Sequence, residues 1–350
     1  MKILRGVPPL AIVVVLFFAP FLIAVYPLQV LTQILIYGIL ATSLDLLLGY
    51  TGLASLGHAL YFGFAGYTVG LVAIHVTSNA VAGLCIGAAA GAVSALATGW
   101  LAIRSRSVYF IMLTLAFSEL AASLATSWSS LTGGDQGLIG IPPATLPNGV
   151  TATGVINTVD FYWYALVVAV IAYLILRAVT RSSFGLSLIG IRENEQRMRS
   201  LGYPTFRYKF IAYIVAGTFA GLGGAMYVQY SDLVAPDYIG FELSALVLVM
   251  VMIGGAGTLY GPLLGAVLVV VLQNELSARF QQWEMVLGII FILIVYLMPS
   301  GLAGMAKALC RLIARLLPWL PTPPRPAVAV GVARAPEPSE TVVMSTGDPT

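Results

Sequence analysis

The chain has 350 residues, of which 59% are hydrophobic and 9% are charged, and its formal net charge is +3. A soluble domain carries about 25% charged residues, so this chain has too few charges to cover a globule in water. The composition excludes an ordinary soluble protein and predicts an integral membrane protein. We interpret the basic excess as a signal of topology, because Lys and Arg collect on the cytoplasmic side of a membrane, and expect no nucleic-acid partner.

The first apolar segment follows a basic N-terminus and therefore resembles a signal peptide. No clear cleavage site follows it, and "AVYPLQ" leads directly into the next apolar run. We expect an uncleaved first helix, with a cleaved signal as the alternative.

Ten apolar segments approach the roughly 20 residues that a spanning helix needs. "GGAGTLYGP" interrupts the run from Glu242 to Gln273, so we expect two helices there or a re-entrant pair. The expected fold is an all-α polytopic bundle of about ten transmembrane helices. The predicted spans are 10–27, 29–48, 53–76, 80–103, 107–127, 161–179, 209–230, 242–256, 259–273 and 284–302.

Basic residues orient these spans. The N-terminus, the turn after the fourth span, the loop after the sixth and the segment after the last all carry Lys or Arg. Loops 128–160 and 231–241 carry four Asp and neither Lys nor Arg, and Arg279 is the one basic residue out of place. The pattern predicts that both termini face the cytoplasm. Loop 128–160 divides the spans five and five, as an inverted repeat requires.

Two domains are expected from the change in composition near Pro318. Residues 1–317 form the transmembrane domain, which includes a charged cytoplasmic segment at 182–209. Residues 318–350 are rich in Pro, Ala, Val and Ser and should be a disordered cytoplasmic tail.

Small residues recur at every fourth position of the fourth span. In lipid, helices associate through close backbone packing rather than through the hydrophobic effect. We expect this face to be a helix contact rather than a binding site. Its members are Gly83, Gly87, Gly91, Ala95 and Gly99.

Three ionisable residues within the spans are candidates for a substrate pathway, because charges in a membrane are usually functional. They are Asp45, His58 and Glu119, and Glu119 lies deepest within its span. As alternatives, Asp45 can lie at the interface, His58 can hydrogen-bond to a backbone carbonyl, and Glu119 can be structural.

Catalytic motifs are missing from the sequence. A Walker A motif needs Gly-Lys-Ser or Gly-Lys-Thr, and the only lysines, Lys2, Lys209 and Lys307, are not preceded by Gly. Neither Cys85 nor Cys310 falls in a metal-ligand spacing. We therefore expect no enzyme, no metal and no cofactor bound by this chain.

The stretch "IRENEQRMRSLGYPTFRYK" concentrates the scarce charges. Ser182 or Ser183 can cap a helix, Gly202 suits its end, and Pro204 prevents its continuation, so a short amphipathic helix is expected. Mixed charges beside an apolar stripe favour docking into a groove of another protein. Anchoring on lipid headgroups is the alternative.

Four stretches then resemble the LivM-type membrane subunit of ATP-binding-cassette importers for branched-chain amino acids. They cover most of residues 30–302, in the order of that family. They are "LDLLLGYTGLASLGHALYFGFAGYT" (44–68), "YFIMLTLAFSEL…SWSSLTGGDQGL" (109–138), "FGLSLIGIRENEQRMRSLGYPTFRYKFIAYIVAGTFAGLGGAMY" (184–227) and "GGAGTLYGPLLGA" (254–266).

The resemblance implies a non-catalytic permease subunit in the plasma (inner) membrane of a prokaryote. ATP and Mg²⁺ would bind to separate ATPase subunits. Further implied partners are a second, LivH-like permease subunit and an external solute-binding protein, which the acidic outer loops could dock. The charged segment would be the coupling helix seated on the ATPase, with contacts from Arg192, Glu193, Asn194, Glu195, Arg197, Leu201 and Gly202.

Two positions depart from the pattern of the family. Asp45 stands where Asn is expected, and Ser300 stands where a basic residue is frequent. Two alternatives to an importer of branched-chain amino acids also stay open. One is the same machine with urea, short amides or another small solute as cargo, and the other is a self-sufficient secondary transporter.

Overall fold

A computed structural model describes residues 16–105, 107–279, 282–297, 301, 302 and 304. The expected tail 318–350, Cys310 and Ser300 lie outside this part of the chain. Residues 16–22 are helical. The helices that follow are α1 Val25–Asp45, α2 His58–His75, α3 Ala80–Ala102, α4 Ser107–Ser127, α5 Ser129–Thr132, α6 Thr158–Arg181, α7 Ser183–Glu193, α8 Glu195–Ser200, α9 Thr205–Ser231, α10 Phe241–Gly254, α11 Gly261–Ser277 and α12 Trp283–Leu297.

Long apolar helices dominate the described part of the chain, and they confirm a polytopic membrane protein. Nine predicted spans coincide with a helix within a few residues, and the first, 10–27, lies partly outside the described residues. Six helices there are long and apolar enough to cross a membrane. They are Val25–Thr51, Ala80–Ala102, Val108–Ser127, Thr158–Arg181, Thr205–Ser231 and Pro236–Gly254.

Helix α1 does not end in the usual way. The residues that continue it, Leu46–Thr51, form a π-helical turn (the π-helical turn of α1), which closes at Gly52 in the left-handed conformation (φ 75°). π-Helical turns are rare and are frequent at functional sites.

The predicted interruption at "GGAGTLYGP" separates two helices, α10 and α11. Their backbones touch, because a Cβ at Gly265 would overlap the carbonyl of Met250, and one at Gly254 would overlap that of Gly261. The loop between them has positive φ at Gly255, Gly257 and Leu259 (102°, 80° and 53°), and such a conformation is uncommon for leucine.

Helices α3 and α9 pack along the predicted face of small residues, all of which are buried. A Cβ at Gly91 would overlap the carbonyl oxygen of Gly217 and would lie 2.8 Å from the Cα of Gly221. The prediction of a helix contact is thus confirmed.

The loops opposite the charged segment are joined by short antiparallel strands. The strands are β1 Leu138–Ile139, β2 Ala144–Thr145, β3 Thr151–Ala152 and β4 Leu233–Val234. β1 pairs with β4, and β2 pairs with β3. The first pair joins the loop after α5 to the loop after α9.

Candidate coupling segment and polar sites

The charged segment, residues 182–209, forms two helices rather than the single helix expected. Asn194 is extended (φ −158°, ψ 94°) and separates α7 from α8. Its Oδ1 accepts a hydrogen bond from the backbone N–H of Arg197 at 2.9 Å. Asn is a strong N-cap residue, and this cap begins a new helix where one continuous helix was predicted.

Glu195 is the centre of an ionic network that fastens α8 to α9. Its carboxylate accepts from Lys209 Nζ at 2.6 Å, from Arg199 Nη2 at 2.8 Å and from Thr205 Oγ1 at 3.1 Å. Partial burial would raise the pKa of Glu195, but the hydrogen bond and charge of Lys209, aided by Thr205 and Arg199, lower it below its ordinary value. The carboxylate is therefore ionised and held in place at neutral pH.

Apolar contacts fix the rest of the segment to the bundle. Leu188 and Ile191 are buried, and the rings of Phe184 and Tyr208 stack with centroids 5.5 Å apart. Leu201, which follows α8, is instead 66% exposed.

The outer surface of the segment holds most of the predicted ATPase contacts. Gly202 ends α8 with φ 86°, and its N–H donates to the carbonyl of Arg199 at 2.9 Å. The exposed members are Arg192, Glu193, Asn194, Arg197, Leu201 and Gly202. This surface combines exposed cations, an anion and a leucine that no other part of the described protein covers.

Arg192 is exposed like its neighbours, but its guanidinium also contacts the transmembrane helices. Its Nη1 donates to the carbonyl oxygen of Gly49 in the π-helical turn of α1. Gly49 precedes Arg192 by 143 residues, so no local pattern reveals this contact.

Asp45 is fully buried and holds the loop between α10 and α11. Its carboxylate accepts from the backbone N–H of Gly257 at 2.6 Å and of Leu259 at 3.1 Å. A buried carboxylate requires such donors. The Asp45 carboxylate is therefore enclosed by the protein itself.

His58 is also fully buried, at the start of α2. Its Nε2 hydrogen-bonds to Ser43 Oγ at 2.8 Å. Nδ1 has no hydrogen-bond partner among the described residues. The observed partner is a serine hydroxyl rather than the backbone carbonyl weighed from the sequence.

Glu119 lies on the wall of an open cleft of about 630 Å³. Its Oε1 accepts from the N–H of Phe241 at 2.9 Å. Three further carboxylates, which the sequence analysis did not combine with Glu119, line the same cleft. They are Asp135, Asp237 and Glu242.

The three candidates for a substrate pathway thus lie in three separate places. Arg192 and Asp45 converge on the loop between α10 and α11, Glu119 lies in the acidic cleft, and His58 bonds within the helices. Within the described residues, no three His, Cys, Asp or Glu side chains are placed to hold a metal ion.

Residues 26–295 match the family described as branched-chain amino acid transport system / permease component. The chain is 29% identical to the high-affinity branched-chain amino acid transport system permease protein LivM of Salmonella typhimurium, over 85% of this chain and 75% of that protein. It is 28% identical to LivM of Escherichia coli, over 82% and 72% of the two chains. It is 23% identical to the probable LivM of Methanocaldococcus jannaschii, over 76% and 90%.

No solved structure matches the chain. The family match covers most of the sequence and includes the π-helical turn, the charged segment and the loop between α10 and α11. The chain belongs to the family of permease components of branched-chain amino acid transport systems.

Proposed function

We propose that this chain is the translocation subunit of an ATP-driven importer for branched-chain amino acids, and that separate ATPase subunits power it. The relatives named above are permease proteins for these amino acids. The observation that carries the proposal is the charged segment. Its outer surface is exposed, and its inner contacts attach it to α9 and the other transmembrane helices.

The surface of the segment suits a protein partner better than it suits lipid. A headgroup anchor needs cations and an apolar stripe sunk into the membrane. Here Leu188 and Ile191 are buried within the protein itself, whereas Leu201 is exposed, as are Arg197 and Glu193. An exposed leucine among charges of both signs is suited to a groove with complementary charges.

The attachment of the segment is suited to transmitting force. Glu195 joins α8 to Lys209 near the start of α9, and the ring of Phe184 in α7 stacks on Tyr208 in α9. When ATP binding moves the partner, α7, α8 and α9 would therefore move together rather than α8 alone.

The finer topology belongs to the same proposal: about ten spans, both termini in the cytoplasm of a prokaryotic cell, and an inverted five-plus-five repeat. Contacts between loops support the alternation of the spans. The loop after α5 pairs with the loop after α9, and the turn after α2 pairs with Thr145. At the opposite end, the turn after α1, the loop after α10 and α7 meet.

The acidic cleft would then open on the outer side, where an external solute-binding protein delivers cargo. Four carboxylates line the cleft, and α4 and the loop before α10 form its walls. Carboxylates in a cleft concentrate cations, and every amino acid carries an ammonium group. We assign Glu119 to the pathway on this ground. Asp45 and His58 have buried partners that suit structural roles.

The test is gentle affinity purification of the chain from its native membrane, with identification of what accompanies it. We expect an ATPase with a Walker A motif, a second permease subunit and ATP-dependent uptake of radiolabelled leucine. Arg197→Glu should release the ATPase and abolish uptake, while the protein still inserts.

The matched control is Arg279→Glu, a charge reversal at an exposed arginine outside the segment. It should retain the ATPase, because an exposed ion pair is worth about 0–1 kcal/mol. Normal uptake by Arg197→Glu would refute the docking surface. A wild-type chain that is purified without an ATPase, yet accumulates leucine under a gradient alone, would refute the importer.

A further inference from the structure

The charged segment meets the transmembrane helices at one small polar contact. Three parts of the chain end there: the π-helical turn of α1, the loop between α10 and α11, and the last turn of α7. We propose that this contact, the Asp45–Arg192 junction, transmits movement of the charged segment to the ends of α1, α10 and α11. The junction comprises Asp45, Gly49, Arg192, Gly257 and Leu259. The inference rests on the proposed function and identifies positioning residues for it.

One side of the junction is the carboxylate of Asp45. The backbone N–H groups just before a helix lack intrahelical acceptors, and those of Gly257 and Leu259 donate to Asp45 at 2.6 and 3.1 Å. Thr258 Oγ1, between them, accepts from the N–H of Gly261, the first residue of α11, at 3.2 Å. The start of α11 is thus held by a side chain of α1, more than 200 residues earlier in the sequence.

The other side is the guanidinium of Arg192. Carbonyl groups in the last turn of a helix lack intrahelical donors and carry partial negative charge. Gly49 lies in that turn, and its carbonyl accepts from Arg192 Nη1. The same Nη1 would be 3.3 Å from a Cβ at Gly257, and the Arg192 Cγ would be 3.1 Å from one at Gly52. The Arg192 side chain therefore lies against both the π-helical turn of α1 and the loop between α10 and α11.

The junction contains no spare space. A Cβ at Gly49 would overlap the Asp45 carboxylate and the backbone nitrogen of Gly257. Glycine is therefore required at position 49 for the ends of α1 and α11 to approach this closely. A displacement of the π-helical turn, the loop between α10 and α11 or α7 should therefore move the other two, because no empty space can absorb it.

The two polar side chains of the junction also interact with each other, because Arg192 lies near enough to Asp45 for their charges to interact. The Asp45 carboxylate holds the loop before α11, and the Arg192 guanidinium holds the end of the π-helical turn. A movement of α7 that displaces Arg192 therefore acts on both sides of the junction.

The test uses the complex of chain, ATPase and binding protein, reconstituted in vesicles. Arg192→Ala should keep the ATPase bound and ATP hydrolysis running, while leucine uptake per ATP falls on the order of tenfold, a typical size of coupling between sites. Arg192→Lys should restore part of the coupling, because it keeps the charge. Arg279→Ala, at an exposed arginine far along the sequence from the junction, should behave as wild type.

A second measurement depends only on this chain. Hydrogen–deuterium exchange of the purified protein should show faster exchange at 255–260 in Arg192→Ala, because the loop is held through the junction. Asp45→Asn should accelerate exchange in the same segment, and the double variant should add little, as expected for residues that act together.

Unchanged exchange at 255–260 in Arg192→Ala and Arg192→Lys would refute the proposed role of the junction. This outcome does not depend on which protein partner the chain has. Wild-type leucine uptake per ATP in Arg192→Ala would also refute that role. Loss of the ATPase from Arg192→Ala would also overturn it, because Arg192 would then bind the partner directly. A wild-type chain without any ATPase would instead refute the proposed function, and exchange would still decide the junction.

Discussion

Replacement of Gly91 by alanine tests the contact between α3 and α9. The new Cβ would overlap the carbonyl oxygen of Gly217 and would lie 2.8 Å from the Cα of Gly221. Carbon atoms pack best at about 3.5–4.0 Å, and backbone atoms cannot rotate away, so the helices must separate by roughly 0.7 Å or more.

The free energy of this change has two opposing parts. Overpacking a well-filled contact costs about 1–3 kcal/mol. Alanine within a helix regains about 1 kcal/mol relative to glycine. Because both obstacles are backbone atoms, we expect a net destabilisation of about 1–2 kcal/mol.

The assay is the temperature at which half of the purified protein in detergent is lost from its monodisperse peak after heating. Gly91→Ala should lower this temperature. Gly288→Ala is the matched control, because a Cβ there meets no atom of the described residues within 4 Å, and it should keep or raise the temperature. An unchanged or higher temperature for Gly91→Ala would show that the two backbones do not touch.

Three further predictions concern carboxylates. Burial raises the pKa of Asp232 to about 6, and its Oδ1 has no hydrogen-bond partner among the described residues. The folded protein thus holds this proton more tightly than the unfolded chain. The stability of the folded protein should rise as pH falls from 7.5 through about 6. Asp232→Asn should raise the heating midpoint at pH 7.5 and reduce the dependence of that midpoint on pH. A variant that behaves as wild type would contradict the raised pKa of Asp232. Glu195 has a lowered pKa, so its stabilisation is present above about pH 4.3 and is lost as pH falls through the folded pKa. Glu195→Gln should therefore loosen α8 at pH 7, seen as faster hydrogen–deuterium exchange at 195–200, and equal exchange would refute the network. Glu119→Gln should raise the KM for leucine several-fold at low salt and less at high salt, whereas a salt-independent KM equal to that of the wild type would return Glu119 to a structural role.

The helices were largely predictable from the sequence, because an apolar run in lipid has few alternatives to a helix. A helix contact on this face of α3 was predictable as well, since Gly83, Gly87 and Gly91 recur with the period of one helix face, but the identity of the partner, α9, was not. The interruption before Gly261 was visible as a cluster of glycines. These signals are local, and each lies within a single helix or turn.

The candidate site depended on contacts that are distant in the sequence. The pair of Arg199 with Glu195 has helical spacing and could be anticipated, whereas the pair with Lys209, which fixes α8 to α9, could not. Likewise, no pattern connects Arg192 with Gly49. The break at Asn194 was missed because the residues on either side suit a helix, and only the cap at Arg197 shows where the first helix stops.

The depth of Glu119 was also misleading. It lies eight residues before the end of α4 at Ser127, or about 12 Å along the helix axis, and the sequence therefore suggested the interior of a span. In the structure the segment from Pro236 to Glu242 folds against this part of α4 and forms the cleft with it. Glu119, whose position in the sequence suggested the interior of a span, therefore faces a polar cleft.

The contact between α3 and α9 has a consequence for how any passage through this protein can open. Helix α3 belongs to the first half of the chain and α9 to the second, and their backbones lie against each other at Gly91, Gly217 and Gly221. A hinge that swings one half from the other would have to pull this contact apart on every cycle. Helices α3 and α9 should therefore move together, and a passage for solute within this chain should open elsewhere than between them.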